Sequence, residues 1–323
     1  MNVARVAALL VLGLVTSAPA QAQSRQPVRV LAGFPPGGNV DILARIFAER
    51  LSEASGGRPV IVINKPGAGG QIAAELLKEA PPDGDTLMLA PDAVVIVRPL
   101  TMSKPPYDPV ADFAPVAQTG TQDYAIALTR KIPPKTLKEF AAWAKANPDG
   151  ANFGSAGEGG TTHFLGLLIG EAIGTPLRQV PFGGSGPAVN ALVAGEISAA
   201  VQPLGTVVAQ AQAETIRIVA VSGPTRNATF PDAPSLVELG YPALQATSWF
   251  GIFAPAKTPR DAVARLNQVF VAAMRTERVR DQMRNLLLDI KEMTPDQLAE
   301  VVKAETARWR PIIKASGFTV EVH

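Results

Sequence analysis

Three glycine-rich runs stand where a strand hands over to a helix, and they are the residues of this chain best suited to chemistry. Phe34-Pro35-Pro36-Gly37-Gly38 follows the apolar run Val28–Leu31. It precedes an amphipathic stretch opened by Asp41, with Ile42, Leu43, Ile46 and Phe47 on one side. Asn152–His163 (NFGSAGEGGTTH) precedes Phe164, Leu165, Leu167, Leu168 and Ile169. Pro181–Pro187 (PFGGSGP) brings Phe182, Gly183 and Gly184 up to Ser185 and a proline at a first helical position. A glycine loop exposes backbone N–H groups, and a helix N-terminus carries about half a positive charge. Together they attract a carboxylate or phosphate without needing Lys or Arg. Each run has a plainer alternative: an ordinary turn at Pro35–Gly38, an N-cap at Thr161 or Thr162, a tight turn at Gly183-Gly184. Recurrence of the pattern is what favours an anion site.

Other chemistries lack their parts. Zero cysteines exclude a disulfide, a thiolate metal site and a thiol nucleophile. His163 is the internal histidine and the second is His323, so no histidine pair has metal-ligand spacing. Ser185 fails the nucleophile elbow because Pro187 stands where its last glycine belongs, and Ser155 fails with Phe153 two positions before it. Gly67-Ala68-Gly69-Gly70 approaches a dinucleotide fingerprint, but Ile72 occupies a position that wants a small residue. No catalytic residue, metal or cofactor is therefore expected. The enzyme alternative rests on His163 with Asp41 or Glu158 across a cleft.

Composition is that of a globular chain: 323 residues, 47% hydrophobic, 18% charged, net charge +2, long enough for two domains. The even balance, without a Lys/Arg block, argues against nucleic-acid binding. Met1–Arg5 is a basic start, Val6–Val15 is apolar, and Ala20-Gln21-Ala22 has cut-site spacing. Residues 1–22 thus read as a secretory signal peptide, and the chain is expected in the periplasm. No later stretch is apolar for the roughly 18 residues a membrane span needs.

The elements that must position the loops follow a strand–helix rhythm. Pro59–Asn64 and Thr86–Ala90 read as apolar strands, with a helix between them from Gln71 to about Glu79. Such strands argue a parallel sheet covered on both faces, whose ligands sit beyond the strand C-termini. The loops Phe34–Asp41, Lys65–Gly70 and Ala90–Val94 are expected to share a mouth. Lys104–Pro109 and Asp112–Thr119 read as irregular. A second series follows: strands at Ala125–Thr129, Ala151–Gly154, Arg178–Phe182, Ser198–Val201 and Ile216–Val221, with helices at Leu137–Ala146, Thr162–Ile173, Pro187–Ala194 and Val207–Ala213. Ser248–Ala254 reads as a strand returning to the first unit, where Trp249, Phe250 and Phe253 either line a cleft or pack a hinge. Helices from Thr258-Pro259 to about Thr276 and from Thr294-Pro295 to about Ile313 should cover domain 1; Gln297 stands at the capping-box spacing from Thr294. The expected division is domain 1 over 23–119 plus 251–323 and domain 2 over 120–250, joined by a two-segment hinge.

FPPGGNVDILARIFAERL, VINKPGAGGQIAAE, PPDGDTLMLA, NFGSAGEGGTTH, QVPFGGSGPAVNALVAGEI, FPDAPSLVELG and SWFGIFAPAKTP occur in one order along essentially the whole mature chain. In that series the sequence resembles the extracytoplasmic solute receptors of tripartite tricarboxylate transporters, the Bug family. The resemblance implies an α/β, two-domain Venus flytrap of the type II periplasmic-binding class, each domain a mostly parallel sheet flanked by helices. It implies a monomer that captures a small carboxylate or amino-acid-like anion and delivers it to a membrane permease. It also implies that Phe34, Pro36, Gly37, Gly38 and Asp41 pinch the ligand against Ser155, Gly157, Thr161, Thr162 and His163, largely through backbone N–H groups and waters. A receptor that signals instead of feeding a permease would need the same closed form. This chain departs from the family at Gly160, where Ser is common, at Pro91-Asp92, where Ser/Thr are common, and at Ser198 and Gln202, often acidic in relatives. If Asp92 faces the mouth it should repel a second ligand carboxylate and favour one carboxylate plus an amine, amide or hydroxyl; the alternative is a solvent-facing cap.

Overall fold

The computed structural model describes residues 26–320, so the segment read as a signal peptide lies outside the described residues. Strand β1 (Val28–Ala32) turns Val28, Val30 and Ala32 toward one apolar cluster and Leu31 toward another. A strand with both faces buried needs cover on both sides. Helix α1 (Asn39–Ala54) supplies it on one, burying Leu43, Ala44, Phe47 and Leu51. Strand β2 (Val60–Asn64), helix α2 (Gln71–Lys78) and strand β3 (Thr86–Pro91) complete a parallel unit in the order β2-β1-β3.

Beyond β3 the chain was expected to open into a loop at Ala90–Val94. Instead, Asp92 leads a π-helical turn over Ala93–Val97 that runs into the short helix α3 (Arg98–Leu100). Val94, Val95, Ile96 and Val97 are all buried, so an unbroken apolar run is wrapped on every side and closes its own backbone bonds. Helix α4 (Pro109–Asp112) is capped by the Asp108 carboxylate.

Strand β4 spans Phe113–Thr129, and this corrects the irregular reading of Asp112–Thr119. Its first half hides its period because Gln118, Thr119 and Gln122 are buried polar residues, while Pro115 and Gly120 accompany register shifts. Gly120 leaves room for a close approach there: a Cβ would come within 2.6 Å of the Met283 terminal methyl and 3.3 Å of Leu288 Cβ.

The second unit carries α5 (Leu137–Ala146), β5 (Asn152–Ser155), α6 (Thr161–Ala172), β6 (Arg178–Pro181), α7 (Ser185–Ala194), β7 (Ala199–Pro203), α8 (Val208–Gln212) and β8 (Ile216–Val221). Strands β6, β5 and β7 are parallel neighbours; the end of β4 lies antiparallel between β7 and β8. Strand β9 (Thr247–Pro255) then returns, antiparallel to both β3 and the first part of β4. Nine strands thus form one continuous curled α/β sheet, with β4 common to its two halves. The boundaries at 119/120 and 250/251 fall inside β4 and β9, the two strands that connect the halves.

The tail is helical, but in three pieces. Helix α9 (Arg260–Met274) packs on α1 through Phe270, and α10 (Glu277–Asn285) begins after Thr276, whose side chain accepts from Val279 N–H. The sequence hid α10 because only Val279 and Met283 of its nine residues are buried. Helix α11 (Pro295–Ser316) buries Leu298, Val302, Trp309 and Ile313 in the cluster beneath β3. Phe164 of α6 joins the same cluster, so the tail also clasps the second unit. The capping box at its start is formed: Thr294 N–H donates to Gln297 Oε1 at 2.9 Å, and Gln297 N–H to Thr294 Oγ1 at 3.2 Å. Thr294→Ala should therefore lower stability by about 1 kcal/mol, read as a midpoint lower by ~2–4 °C in thermal denaturation.

Candidate ligand-binding site

A cavity of about 540 Å³ opens between the two halves, within the range that encloses a small molecule. Helices α1, α6 and α7 begin at its wall, and their N-caps are Gly38, Gly160 and Gly184. None is capped by a side chain, which leaves first-turn N–H groups to the cavity. The glycines also leave room. A Cβ built on Gly160, Gly183, Gly184 or Gly186 meets nothing within 4 Å, so it would enter open space. Gly37 has a second reason, its φ of +85°.

Phe34, Pro36, Gly37, Gly38, Asp92, Gly157, Thr161, Thr162, Gly183 and Gly184 all line this cavity. Gly69 and Pro91–Ala93 line it too, so the ends of β1, β2 and β3 share one mouth. Asp41, Ser155, His163 and Phe182 are not in its lining, for reasons visible in their contacts.

The Asp41 carboxylate accepts from Gly37 N–H at 2.9 Å, from Arg45 Nε at 3.0 Å and from Asn64 Nδ2 at 2.9 Å. The Arg45 bonds lead in holding its pKa down at about 2. Asn64 Nδ2 also reaches the Phe34 carbonyl, so Asp41 stays the loop from behind. Ser155 Oγ donates to the Gly157 carbonyl and accepts from Gln179. His163 Nδ1 accepts from Gly159 N–H at 3.2 Å; its ring stacks on Phe164 and meets the edge of Phe318, and burial pushes its pKa down to about 4. Phe182 packs over Gly154. These four position the loops. Neither Asp41 nor Glu158 is bonded to His163 among the described residues.

Asp92 is neither free in the mouth nor a solvent-facing cap. It is buried, with four donors on its two oxygens. Oδ2 accepts from Thr161 Oγ1 at 2.8 Å and Tyr124 OH at 3.4 Å; Oδ1 accepts from Ser248 Oγ and Trp249 N–H, each at 3.3 Å. Burial raises its pKa to about 6 against the pull of those bonds, and Glu305 adds to the rise. The Thr161 bond spans the cleft, from the start of α6 to the end of β3.

Sequence reading missed Arg98, Tyr124 and Ser248 as lining residues; they reach the cavity from the start of α3, from within β4 and from the start of β9. Of the three aromatics on β9, Phe250 lines the cavity, while Trp249 and Phe253 pack against one another beneath it.

Residues 43–318 match the family model described as "Tripartite tricarboxylate transporter family receptor". Solved structures that share the fold include three relatives. MatC from Rhodopseudomonas palustris with bound malate is 30% identical, with TM-score 0.82 over 89% of this chain and 98% of that one. R. palustris Rpa4515 with adipate is 28% identical, with TM-score 0.84 over 91% and 98%. The periplasmic binding protein BugD is 29% identical, with TM-score 0.83 over 92% and 99%.

Proposed function

The chain belongs to the tripartite tricarboxylate transporter receptor family, and from that premise we propose that it captures a small carboxylate-bearing solute in the cleft and delivers it to a membrane permease. The observation that carries this reading is the convergence of three helix N-termini, all uncapped by side chains, on one cavity. Such an arrangement offers preorganised donors to an anion and leaves almost no side-chain entropy to lose on binding. Malate and adipate, held by the two relatives, are carboxylates of the size this cavity admits. On this reading the receptor works in the periplasm, as a binder and not as an enzyme. Backbone at Gly37–Gly38, Gly157–Thr162 and Gly183–Gly184 makes the contacts, and residues 23–119 with 251–323 form one jaw and 120–250 the other. Flexure belongs to β4 and β9, where the register shifts of β4 interrupt the ladder between the halves.

The test is a thermal-shift screen of the mature chain against mono-, di- and tricarboxylates, amino acids and aromatic acids. A ligand that binds only the folded state raises the midpoint by mass action, about 2.7 kcal/mol of stabilisation at a hundredfold excess over Kd. A carboxylate that raises the midpoint and is recovered unaltered supports the proposal. A panel without effect, or conversion of the bound acid to product, overturns it. Loss of uptake, rather than loss of induction, in a deletion strain separates delivery from signalling.

A further inference from the structure

Arg98 is the only Lys or Arg that lines the cleft among the described residues. Other arginines of this chain close ion pairs: Arg45 with Asp41 at 2.9 Å, Arg58 with Asp85 at 2.6 Å. Arg98 has no carboxylate oxygen within ion-pair distance among the described residues. Of its five N–H donors, one reaches Gln71 Oε1 at the long distance of 3.4 Å, and its buried Nε bonds to nothing. Gln71 is itself committed, donating to Glu75 Oε1 at 2.7 Å. The guanidinium is partly withdrawn from water without an anion beside it, which is costly, and that partial burial pulls its pKa down. Gly69, at φ +64°, lies within van der Waals reach of the Arg98 side chain, a Cβ there standing 3.8 Å from Cδ and 4.0 Å from Nε.

We infer that Arg98 is the specificity-determining residue of the cleft and takes a second acidic group of the ligand, so that the solute is a diacid and not a monoacid, amide or neutral amino acid. This rests on the carboxylate-binding reading above and refines it. One acid group is held by the helix N-termini, and the other meets the planar fork of Arg98, a geometry suited to two parallel N–H···O bonds. Asp92 does not oppose this. Its four donors are all protein groups, which keep the buried carboxylate engaged with the protein, and the positive charge of Arg98 on the same cavity offsets the repulsion that sequence reading expected.

The experiment is isothermal titration of the mature chain with malate, succinate and adipate, each beside its half-amide, for the unmodified protein and for Arg98→Gln and Arg98→Lys. The unmodified protein should prefer at least one diacid over its half-amide by tenfold or more. In Arg98→Gln that ratio should fall toward one, and in Arg98→Lys it should recover only in part, since the charge returns without the fork. Equal weakening of diacid and half-amide in Arg98→Gln, or an undiminished ratio, overturns the assignment. So does an unmodified protein that binds half-amides as well as diacids, an arm that needs no variant to fold. That last result leaves the carboxylate reading standing. Binding of none of these acids or half-amides overturns the assignment of Arg98, and the carboxylate reading falls with it only where the wider thermal-shift panel is also without effect.

Discussion

Gly38→Trp is expected to weaken binding of a captured carboxylate by at least a hundredfold, about 2.7 kcal/mol, while the protein stays folded. Gly38 is the N-cap of α1, with φ −80° and ψ 167°, a conformation open to any residue. A Cβ there meets only the Pro35 carbonyl, at 3.7 Å, so the backbone is not forced to move. The side chain has one place to go, which is the cavity. There an indole occupies ligand volume and covers the first-turn N–H groups of Asn39 and Val40. Stability should fall by no more than about 1 kcal/mol, the difference between glycine and a poor N-cap residue. Gly160→Trp makes the same argument from the opposite wall, where φ is −102° and a Cβ finds nothing within 4 Å. If the ligand bridges both helix starts, either substitution alone abolishes binding. Titration together with a thermal midpoint distinguishes this from misfolding. An unaltered affinity in either variant, at an unaltered midpoint, removes that wall from the site.

What made these loops legible is that glycine at a strand–helix junction is a local signal: on the proposed reading the backbone donors do the binding, and their place is fixed by the element that follows. The parallel strands β1, β2 and β3 were legible for a related reason, since burial on both faces writes itself as an unbroken apolar run. Side chains carry no such mark. Asp41 and His163 lie in the right loops, but whether a side chain turns toward the cavity or toward its neighbours depends on partners far along the chain, Asn64 for one and Phe318 for the other. Arg98 and Tyr124 reach the cavity from elements whose own sequences look like core. The first half of β4 shows the same limit in the fold. Gln122 is buried because its Oε1 accepts from Gly205 N–H at 2.9 Å, a bond across 83 residues that no local pattern announces.

Replacing Asp92 with Asn should expose a pH dependence that the unmodified protein conceals. The Asp92 pKa is raised from 3.8 to about 6. Between those values the unfolded chain carries an anion while the folded one keeps the proton, so stability rises as pH falls through 6 toward 3.8, by roughly 3 kcal/mol. The groups facing Asp92 are the hydroxyls of Tyr124, Thr161 and Ser248, Trp249 N–H, and the charge of Glu305 from α11; none of the three hydroxyls titrates in this window. His163 works the other way. Burial lowers its pKa from 6.5 to about 4, so the unfolded chain is protonated first and stability is lost as pH falls from 6.5 to 4, again by roughly 3 kcal/mol. The two contributions nearly cancel in the unmodified protein between pH 7.5 and 4.5. Asp92→Asn removes the gain and leaves the histidine loss unopposed. About 2 kcal/mol of the Asp92 contribution falls within this interval, so relative to the unmodified protein the midpoint should drop by ~4 °C on going from pH 7.5 to 4.5. His163→Asn, which retains an acceptor for Gly159 N–H, should shift the opposite way. Thermal denaturation of the three proteins at the two pH values settles the matter. An unmodified-minus-variant difference that is the same at both would mean that Asp92 keeps its charge throughout, held by its four donors more tightly than its burial opposes.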